Sequence, residues 1–416
     1  MSTSPYSDLP ARAFWRSAVT DRASLDPGDV YAPRFRIPRK ARIVTAGSCF
    51  AQHVGRTLKT AGYDVLDTEP PPPGMTSATA QKFGYTLYSA RYGNIYTVRQ
   101  LLQLLDEAEG KVAPALPVWE HKGRFHDAFR PGVEPEGLDS PEDVAAHRKM
   151  HLAAVLKAFR AADVFVFTFG LTEAWVHTET GTVYPTAPGT IAGSHDPAVF
   201  SFKNYTYREI MPDFVEFRRR MMAHNPEIRF LITVSPVPLT ATASGQHVEV
   251  ATSYSKSVLR AVCGDLYDRF DNVDYYPSYE IITSQNARGA YYEANKRNVS
   301  EQGVATAMGV FLKAQGAGQM AEPEVSTTGR RKGARRAAEN VEQTDETVRP
   351  ARGRRRAARL AAEAAGQGGE SERPAKARRR AARLAAERAG QGAGTEPAQT
   401  ADDVVCEEAL LDAFRP

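Results

Sequence analysis

The residues best suited to chemistry lie in one short stretch, Thr45-Ala46-Gly47-Ser48-Cys49-Phe50. Ala41-Arg42-Ile43-Val44-Thr45 before the turn is β-prone and short, as a buried parallel strand would be. Phe50, Val54, Leu58 and Ala61 recur at helical spacing, and Gly62 follows as a stop signal. Ser48 is therefore expected on a sharp turn from a strand end into a helix. In open α/β sheets, ligands collect beyond the carboxyl ends of the strands. A hydroxyl there faces backbone N–H groups at a helix N-terminus, which suits a nucleophile whose attack creates an oxyanion. The simpler role for the same side chain is to cap the helix.

Further blocks follow in order: Ser89-Ala90-Arg91-Tyr92-Gly93-Asn94-Ile95-Tyr96-Thr97, Phe169-Gly170-Leu171-Thr172-Glu173-Ala174-Trp175, Val234-Ser235-Pro236-Val237-Pro238 and Tyr254-Ser255-Lys256-Ser257. With Gly47-Ser48-Cys49-Phe50-Ala51 at their head, they resemble the GSCFA family, itself similar to the SGNH (GDSL-type) hydrolases, over roughly residues 5–315. The resemblance implies a flavodoxin-like, SGNH-hydrolase-like fold. It also implies an esterase or acyltransferase acting on an O-acyl substrate, O-acetyl sugars among the candidates. Ser48 would be the nucleophile, with its own N–H, Gly93 or the adjacent Asn94, and Thr172 around the oxyanion. Glycine permits close backbone approach, although Gly93-Asn94 reads equally as a turn. Gly170-Leu171-Thr172-Glu173 stands where such enzymes carry Gly-x-Asn-Asp, so the Thr172 hydroxyl replaces an amide donor. Glu173 is left to orient neighbours or to pair with an arginine.

The resemblance also implies an Asp-x-x-His pair just before the last helix of the body. The matching stretch reads Tyr291-Tyr292-Glu293-Ala294-Asn295-Lys296-Arg297-Asn298, with Asn295 and Asn298 at the two positions. An amide cannot take a proton from serine near neutral pH. Three readings stay open. Another histidine serves as base, His247 first, with His53 and His195 behind it. The substrate or an alternative carboxylate takes the role. Or the domain is a catalytically silent carbohydrate- or partner-binding module on a hydrolase scaffold. Cys49, with no identifiable base, reads as a small buried residue. No Cys/His spacing suggests a metal site and no phosphate-cradling glycine loop occurs, so neither metal nor cofactor is expected.

Positioning these groups falls to alternating strands and helices. Strands are expected at Tyr63–Leu66, Asp163–Phe169, Arg229–Val234 and Val273–Tyr276, from their apolar runs. Helices are expected at Val98–Leu105, from Pro141 through Phe159, and at Glu209–His224, Val248–Phe270 and Gly303–Leu312. This alternation predicts an α/β fold with a doubly wound parallel sheet. Val176 to Tyr205, with Pro185, Pro188, Gly189 and Gly193, reads as a long loop of the kind used for lids. Phe14 and Trp15 are too apolar for a free tail, so residues 1–40 are expected to pack across the body as an arm.

Hydrophobic residues at 42% and charged residues at 25% are ordinary for a soluble chain. Three widely spaced cysteines argue against a disulfide framework and for a reducing compartment. With no signal-like start and no apolar run of bilayer length, the expected location is cytoplasmic. Composition changes near Gly316, so the body is taken as residues 1–315. Residues 316–403 are rich in Ala and Arg and repeat a kernel at Arg354–Glu363 and Arg378–Glu387. One leucine per kernel cannot build a core, so this tail is expected to be disordered with nascent helices. Its arginines suit nonspecific contact with nucleic acid or an anionic surface, and equally a solvated linker. Residues 404–416 are acidic and apolar, fit to dock on the body, on a partner or on the repeats.

Overall fold

The structure, a computed structural model, describes residues 4–316 and 406–414. Strand β1 (Ile43–Gly47) leads into helix α1 (Phe50–Thr60). Helices α2 (Ser77–Lys82) and α3 (Val98–Ala108) precede an antiparallel ribbon of β2 (Val118–His121) and β3 (Arg124–Asp127). Helix α4 (Pro141–Ala161) returns the chain to β4 (Val164–Phe169). Next come β5 (Glu173–His177), β6 (Val183–Tyr184) and β7 (Phe200–Asn204). The alternation then resumes with α5 (Tyr207–His224), β8 (Arg229–Val234), α6 (Val248–Arg269), β9 (Val273–Tyr275), α7 (Ser278–Thr283) and α8 (Glu301–Ala314).

The central sheet is parallel, in the order β1-β4-β8-β9. Its side chains alternate between two cores because successive residues of a strand point to opposite faces. Phe165, Phe167 and Phe169 join Val44, Phe230 and Ile232 on one face, under α3, α4, α5 and α6. Val164, Val166, Ile43 and Leu231 turn to the other, against Phe50 and Leu58 of α1 and Phe311 of α8. Both faces are covered, which is why these strands read as unbroken apolar runs. Burying one such Phe ring stabilises the fold by about 1.5–3 kcal/mol. Gly47 stands level with Thr168, and Thr168 with Thr233. Ser48, Gly170 and Ser235 therefore line one carboxyl edge.

Three local expectations need correction. Tyr63–Leu66 meets β1 through a single bridge, Ile43 with Val65, and then leaves the sheet as Thr68 N–H donates to Ser89 O at 2.9 Å. The stretch 176–205 is not a loop: β5 pairs with both β6 and β7 as a small antiparallel sheet. Its stability comes from a separate aromatic core, where Tyr184 stacks 5.1 Å from Trp119 and 5.4 Å from Phe129. In the N-terminal arm, Phe14 and Trp15 are exposed. Other residues carry the packing. Tyr31 Oη donates to Asp274 Oδ2 at 2.8 Å, Arg34 Nη1 satisfies the carbonyls of Tyr267 and Phe270 at the end of α6, and Ile37 N–H donates to Gln315 Oε1 at 2.9 Å.

The chain divides into two compact units, Met1–Met320 with Ala401–Pro416, and Ala321–Thr400. The second lies outside the described residues, and with it the nucleic-acid or anionic-surface contact expected of its arginines. No helix among the described residues is long and apolar enough to cross a membrane.

Candidate active site

The site starts where β1 ends. Gly47 has φ +136°, a conformation that favours glycine, and a Cβ there would run into the Thr168 carbonyl of the neighbouring strand. This close approach lets Ser48 N–H donate to Thr168 O at 3.2 Å. The Ser48 N–H is thus spent on the sheet rather than turned to an oxyanion. Helix α1 is capped at Cys49 with no side-chain bond. Ser48 Oγ is buried and has no hydrogen-bond partner among the described residues, so the helix-cap role does not hold either.

Around Ser48 the sheet edge is crowded. A Cβ on Gly170 would lie 2.8 Å from Ser48 Cβ and 3.0 Å from Tyr96 O, so only glycine lets these three backbones converge. Gly170 O accepts from Lys256 Nζ, a fully buried amine on α6, at 2.7 Å. Burial pulls Lys256 down to about 8, with Glu408 and Cys49 opposing. Thr172 N–H donates to Ser255 Oγ at 3.1 Å, while Thr172 Oγ1 is buried without a partner among the described residues. Asn94 Oδ1 accepts from Tyr88 Oη at 2.5 Å and from Gln52 Nε2 at 3.4 Å. That grip turns the Asn94 amide nitrogen outward, where Nδ2 donates to a carboxylate, Glu407 Oε2, at 3.2 Å.

Glu407 belongs to the C-terminal segment, whose residues Glu407–Phe414 form 3-10 helical turns against this edge. Its carboxylate also takes the backbone N–H groups of Gly132 and Asn94, and burial nevertheless pushes it up to about 7. Glu408 meets Arg297 Nη2 at 2.9 Å and accepts from Thr240 N–H at 3.2 Å; burial outweighs Arg297 and raises it to about 7. The Cys406 and Cys49 thiols hydrogen-bond each other, and Arg297 Nη2 lies 3.6 Å from Cys406 Sγ. The bond from Cys49, with Arg297 beside it, lowers Cys406 to about 5; Cys49 is pushed up, first by the same bond and then by burial.

The profile of the GSCFA family matches residues 42–311. The chain belongs to the GSCFA family. No curated protein matches it. Among solved structures, a carbohydrate esterase family 3 from Talaromyces cellulolyticus aligns at 11% identity over 52% of this chain and 87% of that chain, with a TM-score of 0.23.

Within this GSCFA domain the residues expected from sequence are distributed unevenly. Ser48, Gly93, Asn94 and Thr172 gather at the carboxyl edge. The histidines do not. His247 is exposed and caps α6, its Nδ1 accepting from Glu249 N–H at 3.2 Å. His53 packs 5.6 Å from the Phe50 ring, where burial and then Arg56 lower it to about 4. His195 sits 4.8 Å from the Trp175 ring on the small sheet. None of the three hydrogen-bonds Ser48 Oγ. Asn295 and Asn298 are exposed in a turn, where Asn295 Oδ1 accepts from the backbone N–H groups of Arg297 and Asn298. Glu173 accepts from Thr242 Oγ1 at 2.8 Å rather than from an arginine, and burial raises its pKa.

Sequence reasoning gave no role to Lys256 or Arg297, and took Cys406, Glu407 and Glu408 only as part of a segment fit to dock, without a place in the site. For Lys256 a signal existed: it follows Ser255 and precedes Leu259 and Cys263 on the buried stripe of α6, where a cation is out of place. For the others, nothing local marks a residue that meets its partners across the fold.

Proposed function

We propose that this protein is an SGNH-type serine esterase or acyltransferase acting on an O-acyl substrate, with Ser48 as nucleophile. One observation carries the reading. A buried hydroxyl with no hydrogen-bond partner among the described residues stands on the same sheet edge as a set of amide donors that holds a carboxylate. An oxyanion is a close chemical relative of that carboxylate, so Asn94 N–H, Asn94 Nδ2 and Gly132 N–H are the donors assigned to it. Thr172 Oγ1 is a further donor free to turn inward.

Lys256 is assigned as base. Its Nζ is held by the carbonyl of Gly170, the residue that backs onto Ser48. Like the histidines it makes no hydrogen bond to Ser48 Oγ in this arrangement, so the role requires Nζ to swing from Gly170 O to the hydroxyl. Its lowered pKa leaves a useful neutral fraction near pH 8. Lys256 takes the Ser48 proton as Oγ bonds to the acyl carbon. The ester C–O bond then breaks, and the departing alcohol takes the proton back. Water or a second alcohol, the latter including a sugar hydroxyl, then gives its proton to Lys256 as its oxygen bonds to the acyl carbon. The Ser48 Oγ–acyl bond breaks, and Ser48 takes the proton back.

The test is covalent labelling of the full chain by an aryl fluorophosphonate, mapped by peptide mass, in the wild type and in Glu407→Lys/Glu408→Lys. An adduct on Ser48 that disappears in Ser48→Ala is the expected result. Lys256→Met should slow labelling by about a hundredfold or more. No adduct in any folded form overturns the esterase reading. It leaves the second reading, a binding module, which the lack of an imidazole bonded to Ser48 Oγ favours.

A further inference from the structure

We infer that Cys406–Phe414 is an intramolecular ligand that closes the Ser48 site, with Glu407 in the position of a carboxylate product. The word product rests on the esterase reading above; the docking itself does not.

The segment is anchored through its acids, not through its apolar residues. Leu410 is 49% exposed and Phe414 65%, whereas Glu407 and Glu408 are 5% and 8% exposed. The body is shaped for the first of these carboxylates. A Cβ on Gly132 would lie 2.7 Å from Glu407 Oε1 and 3.1 Å from its Cγ. Gly132 is not in the left-handed region, so its backbone does not demand glycine; room for the carboxylate does. Gly93 offers the same carboxylate oxygen a looser wall at 3.4 Å. The second acid meets a cationic pair, Arg297 in direct contact and Lys256 through its charge.

With the segment seated, neither Ser48 Oγ nor Thr172 Oγ1 has appreciable solvent-accessible surface. Cys406 sits on Cys49, the neighbour of Ser48, and Glu407 on Asn94, so the segment occupies the place an acyl ester would take on this edge. The geometry also explains why this occupant fits. Hydrolysis of an acyl-serine yields a carboxylate beside the oxyanion donors, and Glu407 presents that group to those donors. The ligand belongs to the same chain, so its occupancy is independent of protein concentration.

The Cys49–Cys406 contact supplies a trap that reads docking without reference to catalysis. The Cys406 thiolate attacks one sulfur of oxidised glutathione and expels one glutathione thiolate. Cys49, after losing its proton, attacks the Cys406 sulfur and expels the second. Two protein thiols become one disulfide, and one glutathione disulfide becomes two thiols. Cys263 is fully buried in the core under α6 and takes no part.

The experiment treats the full chain with oxidised glutathione and maps the crosslink by peptide mass. The wild type should form Cys49–Cys406. Glu407→Lys/Glu408→Lys, acting from the segment, and Gly132→Ala, acting from the body, should each lower the yield at least about tenfold, with the far-ultraviolet circular dichroism of both unchanged. Crosslinked protein should lose fluorophosphonate labelling at Ser48 and regain it in dithiothreitol, and the reduced Glu407→Lys/Glu408→Lys variant should label faster than the wild type. A folded wild type that forms no crosslink, or a crosslinked protein that labels at the reduced rate, overturns the inference. A crosslink that follows this pattern while no form labels upholds the docking and overturns the esterase reading instead.

Discussion

Two of the clusters of buried charge in this domain are held in opposite ways. In the first, between α3, α4 and the β2–β3 ribbon, Arg148 meets Asp127 at 3.1 Å and Glu107 at 2.6 Å, Arg130 meets Asp127 at 2.7 Å, and His151 Nδ1 meets Glu69 at 2.8 Å. Burial pushes Asp127 up, but Arg148 and Arg130 outweigh it and hold the carboxyl at about 2. Glu69 is likewise held at about 2 against burial, by His151, Arg130 and the Arg91 N–H. In the second cluster burial wins, and Glu407 and Glu408 rise to about 7 despite Asn94 and Arg297. The first cluster is satisfied in place and belongs to the scaffold. The second is held against its preferred charge state, as suits a ligand that must come off.

The sharpest way to break this contrast is to remove one acid from each cluster. Asp127→Ala leaves two buried arginines without their shared partner and should cost about 3–5 kcal/mol, read by chemical denaturation. Glu407→Gln should cost less than about 1 kcal/mol of body stability, because it removes a charge that burial already disfavours. Equal costs would erase the distinction.

Acidity should move the two regions in opposite directions. His151 titrates near 6.5 when free and, driven by burial and then Arg130, at about 4 in place, so the folded state binds fewer protons between those values. Its contribution is complete above pH 6.5 and is lost as pH falls through about 4, with Glu69 and Asp127 following near 2. Thermal unfolding should show this loss on acidification. The raised acids Glu407 and Glu408 work the other way: their hold on the segment is complete below the free value of 4.5 and is lost as pH rises through about 7. Arg297, Lys256, Cys49, Tyr88 and Tyr96 face them, and the Cys406 thiol opposes the loss from about 5 upward. Hydrogen exchange of residues 406–414, corrected for intrinsic rates, should rise between pH 5 and 7. In Glu407→Gln/Glu408→Gln that rise should vanish and give way to a fall, since Cys406 alone remains to titrate. A flat wild-type profile would remove the contrast.

The smallest effect is expected at Ser48. Its hydroxyl bonds nothing among the described residues, so Ser48→Ala should leave stability within about 1 kcal/mol or raise it slightly. A loss of about 2 kcal/mol would point to an unseen structural bond at the centre of the site.

These regions also differ in how far the sequence revealed them. The strands of the central sheet are legible because burial on both faces leaves an apolar run such as Val164–Phe169. The turn at Gly47-Ser48 is legible because glycine and a nucleophile coincide at a strand end. The small antiparallel sheet is not, because β5 and β7 are separated by Pro185, Pro188 and Gly189, and their shared aromatic core draws Trp119 from a different ribbon. Register along the last block misled for another reason. Asn295 and Asn298 occupy the outer side of a turn, and it is Arg297 between them that reaches inward. No periodicity reports which side of a turn faces a crevice.

The strap from Tyr31 to Ile37 has a consequence for how the chain is made. Its partners at Asp274 and Gln315 lie 243 and 278 residues further on. During synthesis these early residues emerge long before β9 and α8 exist to receive them. The N-terminal arm is thus obliged to wait, and its docking belongs to the last steps of folding, after the sheet is complete.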